Sequence, residues 1–261
     1  MKRLLFIFWT ISICAPAYAY VFNYQNSGVA PFFGATAADT LQSSQAFSRT
    51  SGSVTDFSSG VQFGFSGQLG IQFNINRDFS FRIGAEAYQG KSINAVGTRA
   101  SDGANLMTVS SLATVLNPNA GIQYNMLSSR SGRIYLLLDG GYAMATVANN
   151  DSLTSTGVTQ YSTSSSSIDE KWSGDTTSYV AGVGAEYHAF SNTTIALEVG
   201  YRQMQFDKFT YANSGYAIRG SSETSVSSGQ IVTDNGGAPV SLNMSGVFAG
   251  VVFRFYIPPE Y

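Results

Sequence analysis

The chain has 261 residues, one cysteine, 14 Lys and Arg against 16 Asp and Glu, and only 11% charged residues beside 13% aromatic ones. An average soluble domain carries about 25% charged residues, so the composition speaks against an ordinary soluble globule. A formal net charge of −2 speaks against a nucleic-acid partner.

Residues 1–19 read as a secretory signal peptide. Lys2 and Arg3 precede an apolar core from Leu4 to Ile13, and Ala17-Tyr18-Ala19 forms the small-residue cleavage site. The apolar core is about half the roughly 20 residues of a spanning helix. Cys14 follows the bulky Ile13, where a lipid-attachment signal needs a small residue. Cleavage after Ala19 removes the only cysteine, which excludes disulfides and thiol chemistry in residues 20–261. Those residues fit a single domain of β-barrel size.

The first predicted strand lies near "GVAPFFGATAA", residues 28–38, and Pro31 interrupts it; proline belongs at strand edges or bulges. Residues 60–76 alternate over an unusual length. Val61, Phe63, Phe65, Leu69, Ile71, Phe73 and Ile75 share one parity, and Gln62, Ser66, Gln68, Gln72, Asn74 and Asn76 the other. A period of two is a strand with one apolar and one polar face. Asn76-Arg77-Asp78 turns the chain into "FSFRIGAEAYQG", residues 79–90. Two more hairpins follow with short turns: 117–127 with 133–147 through Ser128–Gly132, and 177–190 with 193–203 through Ser191-Asn192. The last strand lies near 244–257. Its apolar parity slips between Met244 and Val247, which a bulge would accommodate. The connections 39–60, 90–106, 149–176 and 207–239 are long, rich in Ser, Thr, Asn and Gly, and show no sustained alternation.

The count is eight antiparallel strands, with three short turns and four long loops. That is the pattern of an up-and-down transmembrane β-barrel with short periplasmic turns and four long extracellular loops. Phe63 and Phe73 stand about 25 Å apart along the membrane normal at ~3.3 Å per residue and a tilt near 40°. That matches the apolar band between two aromatic girdles. The competing fold, a soluble lipocalin-like barrel, would turn the apolar face inward.

The chain resembles the small eight-stranded outer-membrane proteins of Gram-negative bacteria, the group of the OmpA transmembrane domain, OmpX and the opacity proteins. The likeness is one of pattern over residues 20–261. Its sharpest element is "GVFAGVVFRF", where Val251, Phe253 and Phe255 resemble the closing signal read by the barrel-assembly machinery. "YIPPEY" extends beyond the aromatic that ends the group's pattern. The resemblance implies the bacterial outer membrane as location. It implies lipid, lipopolysaccharide and the assembly machinery as partners, and a host or environmental ligand at the loops.

The polar parity collects Arg82, Glu86, Asp139, Glu186, His188, Glu198, Arg202 and Arg254. Inside a narrow barrel these charges must pair. An eight-stranded interior is just wide enough for side chains, which favours a salt-bridged plug over a gated pore lined by the same groups. A lipid-modifying enzyme of this group would use a His with Ser and an acid near the outer leaflet. The single His188 instead falls by the short turn at Ser191-Asn192, and reads as a lumen residue. One His and no Cys support no metal site, and no cofactor motif is present. "GFSGQLG" sits within a strand and opens no helix, so it is no phosphate loop. Asn192-Thr193-Thr194 matches a glycosylation sequon by chance in a tight turn. The loops, with Tyr161, Trp172, Tyr211 and Tyr216 among small polar residues, are the natural binding surface on a rigid scaffold. The sequence-level expectation is therefore a structural and adhesin-like barrel, with a narrow channel as the alternative.

Overall fold

A computed structural model describes residues 28–40, 63–90, 93–99, 101–129, 131–220, 222–234 and 236–257. The expected signal segment, Cys14, most of the first long connection and the last four residues lie outside them. In chain order the elements are β1 (Val29–Thr40), β2 (Phe63–Asn74), β3 (Phe79–Gly90), β4 (Ile93–Thr98), β5 (Asn105–Ser128) and β6 (Gly132–Leu153). Then follow α1 (Ser155–Tyr161), β7 (Ser167–Phe190), β8 (Thr193–Phe206), β9 (Thr210–Tyr211), β10 (Gly215–Arg219), β11 (Ser222–Val226), β12 (Leu242–Asn243) and β13 (Gly246–Phe255).

Eight of these strands, β1, β2, β3, β5, β6, β7, β8 and β13, form a closed antiparallel ring. Each pairs with the next, and β13 pairs with both β8 and β1. Closure satisfies every edge, which is what a strand-built membrane protein requires. The predicted first strand is present, and Pro31 disturbs one side of it only. It falls between the Val29–Ile257 bridge and the Phe32–Arg254 pair, while pairing with β2 runs through it to Ile71. The β2–β3 turn is closed by the Asn76 side chain, whose Oδ1 accepts from the backbone N–H of Asp78 and Phe79 at 2.9 and 2.8 Å. In the β7–β8 turn Ser191 adopts φ 49°.

Within the ring the faces are as the alternation requires. Phe65 and Leu69 are 76% and 65% exposed on the outside, whereas Gln72 is 1% exposed inside. Outward aromatics gather at two levels. Phe73, Phe79, Tyr124, Tyr187, Phe190 and Phe255 lie toward the short turns, and Phe65, Tyr142, Tyr179 and Tyr201 lie eight to eleven residues above them. Phe33 stacks on Phe253 and Phe255, with centroids 5.3 and 5.7 Å apart. An exposed apolar belt between aromatic girdles is a lipid-facing wall.

Two expectations are corrected. First, the connections are not plain loops. β5 begins at Asn105 rather than near 117, β6 runs to Leu153, and β7 starts at Ser167. With β4 paired to β5, these strands raise a sheet above the belt, and 207–239 adds β9 and the β10–β11 hairpin. The alternation of these extensions is hidden in the sequence because it inverts. Along β6, Ile134, Leu136, Leu138, Tyr142 and Met144 face out, but above them the outward residues are Thr146, Ala148, Asn150 and Ser152, and Ala143, Ala145 and Val147 face in. On β7, Lys171, Ser173 and Asp175 face out beside an inward Trp172. Lipid selects the apolar face outward, and water selects it inward.

Second, there is no bulge between Met244 and Val247. β12 and β13 pair with β8 in the same register, Leu242↔Phe206, Asn243↔Gln205 and Gly246↔Arg202, on either side of a break at Met244-Ser245 where the Met204 N–H donates to the Ser245 hydroxyl at 3.0 Å. Leu242 and Met244 are buried inside and Val247 is exposed outside. The parity slip is the same inversion, where the strand crosses from water into lipid.

Candidate functional site

Seven of the eight predicted lumen residues converge inside the belt. The tier nearest the short turns centres on two carboxylates. Glu186 on β7 takes Arg133 Nε at 2.7 Å, Tyr256 Oη at 2.8 Å, and also Arg254 and Thr194. Glu198 on β8 takes Tyr135 Oη at 2.7 Å, Arg254 Nη2 at 2.8 Å and Arg82 Nη1 at 3.3 Å. Arg82 on β3 also grips Asp139 on β6 through both Nε, at 2.8 Å, and Nη2. Arg254 thus joins the two carboxylates, and Arg82 joins Glu198 to the far wall. The tyrosines are linkers: Tyr256 accepts from Arg133 at 2.7 Å while donating to Glu186, and Tyr135 accepts from Arg254 at 2.9 Å while donating to Glu198. Gly184 makes room for Tyr135, because any Cβ there would collide with the phenol ring.

The upper tier holds Glu86 and Arg202. Glu86 accepts from Thr36 at 3.0 Å, from Ser66 at 2.5 Å and from Tyr88. Arg202 stands 3.8 Å from Glu86 and lies over the Tyr88 ring at 4.2 Å. Its Nε and Nη2 have no hydrogen-bond partner among the described residues. Arg202 borders a small chamber of about 20 Å³ that Gln68, Asn119 and Ser178 also line. That is room for water. The lumen charges balance: Arg82, Arg133, Arg202 and Arg254 face Glu86, Asp139, Glu186 and Glu198, all buried. Such neutrality is what a narrow, poorly hydrated interior demands.

Above the chamber the lumen is roofed by apolar packing. Tyr88, Val115, Val147, Trp172, Met204, Phe206, Phe209 and Met244 belong to one buried cluster. A second, containing Leu106, Leu153, Tyr161 and Ile168, lies at the tip beneath α1. The roof holds its own ion pair, Glu170 with Arg219 at 3.0 Å, and Trp172 Nε1 donates to Glu170 at 3.0 Å.

His188, the eighth predicted residue, lies on the inward row opposite the buried Thr194, at the short-turn end. It is only half-buried, and its Nε2 lies 2.6 Å from the Ser191 carbonyl oxygen at the turn. The sequence reading missed Arg133, Tyr135 and Tyr256, and put Tyr88 on the polar face without assigning it to the network. Arg133 and Tyr135 share the parity of Asp139, and Tyr256 that of Arg254, so counting by twos from the predicted residues would have found them. Among the described residues no group of three or more His, Cys, Asp or Glu is placed to hold a metal ion.

No protein-family model matches the chain, and no curated protein matches it. Among solved structures it is similar to the outer membrane protein OprG from Pseudomonas aeruginosa, at 15% identity over 89% of this chain and 98% of that one, with a TM-score of 0.48. It is similar to Neisserial surface protein A at 12% identity, over 88% and 98% of the two chains, with a TM-score of 0.40. It is also similar to the outer membrane protease OmpT from Escherichia coli at 9% identity, over 92% and 100%, with a TM-score of 0.43. The likeness is one of fold. With a closed ring of eight antiparallel strands, an apolar belt outside and balanced charges within, the chain is a small eight-stranded transmembrane β-barrel.

Proposed function

We propose that this barrel is a non-enzymatic structural and surface-binding protein, adhesin-like, whose lumen is closed. One observation carries the reading. The lumen is crossed by the Glu186–Arg254–Glu198–Arg82–Asp139 chain and then covered by the apolar roof around Met204 and Phe206. A solute would have to break buried ion pairs and then cross a dry layer. The part left to act is the packed module above the belt, built on β4–β7 and the β10–β11 hairpin. It presents the exposed Tyr216, Val96 and Ile231 to a host or environmental ligand. The short turns then face the periplasm, the barrel wall meets lipid and lipopolysaccharide, and the β13 strand is the segment offered to the assembly machinery. His188, bonded at the turn, stands far from the serines of the upper module, so it supplies no hydrolytic set.

The test has two arms. Refolded protein in a planar bilayer should give no steady conductance; stable open channels would replace the closed-lumen reading with a narrow porin. Cells displaying the protein should adhere to a host-cell or matrix surface, and should lose that adhesion when β10–β11 is replaced by a short Gly-Ser turn. Adhesion unchanged by that replacement would remove the module as the binding surface.

A further inference from the structure

The outward wall of β6–β8 carries a groove of about 420 Å³. It arises from two small residues in neighbouring rows of the sheet. Gly140 stands opposite Tyr179, which stands opposite Gln203; one row lower, Leu138 stands opposite Ala181, opposite Tyr201. The floor is therefore backbone and a methyl group, and Leu138, Tyr179 and Tyr201 project beside it, each about half exposed. A Cβ built on Gly140 would meet no atom within 4 Å.

The groove's position identifies its occupant. Below it the wall continues as Leu136, Val183 and Val199, all exposed. Above it polar groups join the exposed Met144 on the outward face, with Gln203 at the groove's upper end and Tyr142 on β6 donating to Asp175 on β7 at 2.6 Å. This profile, apolar below and hydrogen-bonding above, is that of a lipid at the edge of the hydrocarbon layer. We infer that the groove is a fixed lipid site. It holds one acyl chain of a bilayer lipid from the leaflet farther from the short turns, and the Gln203 side-chain amide donates to that lipid's ester or amide carbonyl. The bilayer is the source because the groove is continuous with the lipid-facing belt. Water there would sit against leucine, tyrosine and glycine with few partners.

The variant that fills the site leaves the fold alone, because Gly140 has open space above it. Gly67 provides a matched control: it is exposed on the belt at β2, and a Cβ there also meets nothing within 4 Å. Native mass spectrometry of the refolded full chain in detergent, titrated with phosphatidylethanolamine, reads the occupancy. Wild type and Gly67→Leu should retain one lipid, and Gly140→Leu should bind it about tenfold more weakly. Tyr179→Ala, which removes a wall, should weaken it as well. Unchanged retention in Gly140→Leu would overturn the inference, as would equal loss in both leucine variants. A wild-type dimer that Gly140→Leu converts to monomer would overturn it too, by assigning the groove to a second copy.

Discussion

Removing Arg254 tests whether the lumen is a dry, interlocked plug. Arg254 is 1% exposed and is the only described side chain that bonds both Glu186 and Glu198. In Arg254→Ala, Glu186 keeps Arg133, Tyr256 and Thr194, and Glu198 keeps Tyr135 and Arg82. Neither carboxylate is wholly stranded, yet one unit of positive charge leaves a balanced, buried set. Breaking a buried pair costs about 3–5 kcal/mol, and the surviving partners place this change near 3. Arg202→Ala is the internal comparison. Arg202 approaches Glu86 only to 3.8 Å, and Glu86 keeps its three hydroxyl donors. Its loss should cost less than half as much. Urea unfolding of the refolded protein in lipid vesicles, followed by Trp172 fluorescence and by the gel shift between folded and boiled forms, measures both. Equal costs near 1 kcal/mol or less would mean hydrated charges, and would refute the plug.

The closed ring should resist SDS until boiled, because its backbone bonds are paired within the barrel; identical migration of heated and unheated samples would contradict this. Leu69→Arg places a charge on the lipid face and should cost about 2–4 kcal/mol, whereas Gln68→Arg points toward Glu86 in the lumen and should cost less; the reverse order in a refolding-yield assay would mean the faces are exchanged. Trp172→Ala removes a fully buried side chain packed on Phe209 and should cost the upper module about 3–5 kcal/mol. Limited proteolysis should then cleave the module while the heat-dependent gel shift persists; loss of that shift would show that roof and barrel unfold as one unit.

The strands of the belt were legible because each keeps one parity for its whole length. Phe65 to Phe73 on β2 and Phe79 to Ala87 on β3 need no partner to be read. Seven lumen charges followed from the same parity, since a charge opposite an apolar belt has only the interior to enter. The extensions on β5–β7 and the β12–β13 passage were not legible. There the solvent outside changes from lipid to water, so the apolar parity reverses and a local pattern search sees it dissolve. Reading a reversal as a continuing strand requires the neighbouring strand's register, as Leu242↔Phe206 and Gly246↔Arg202 supply it.

By itself, then, the sequence determined the number of membrane strands, their outward and inward faces and seven of the charges that share the lumen, because a two-residue period is a local property of the backbone. Only the tertiary structure decided who pairs with whom. Arg254 meets Glu186 and Glu198, Arg82 meets Asp139 across the barrel, Arg133 joins from the rim, and His188 stays at the turn. Those choices depend on strand stagger around the closed ring and on the space left by Gly184 and Gly121, and both are set by contacts between segments far apart in the chain.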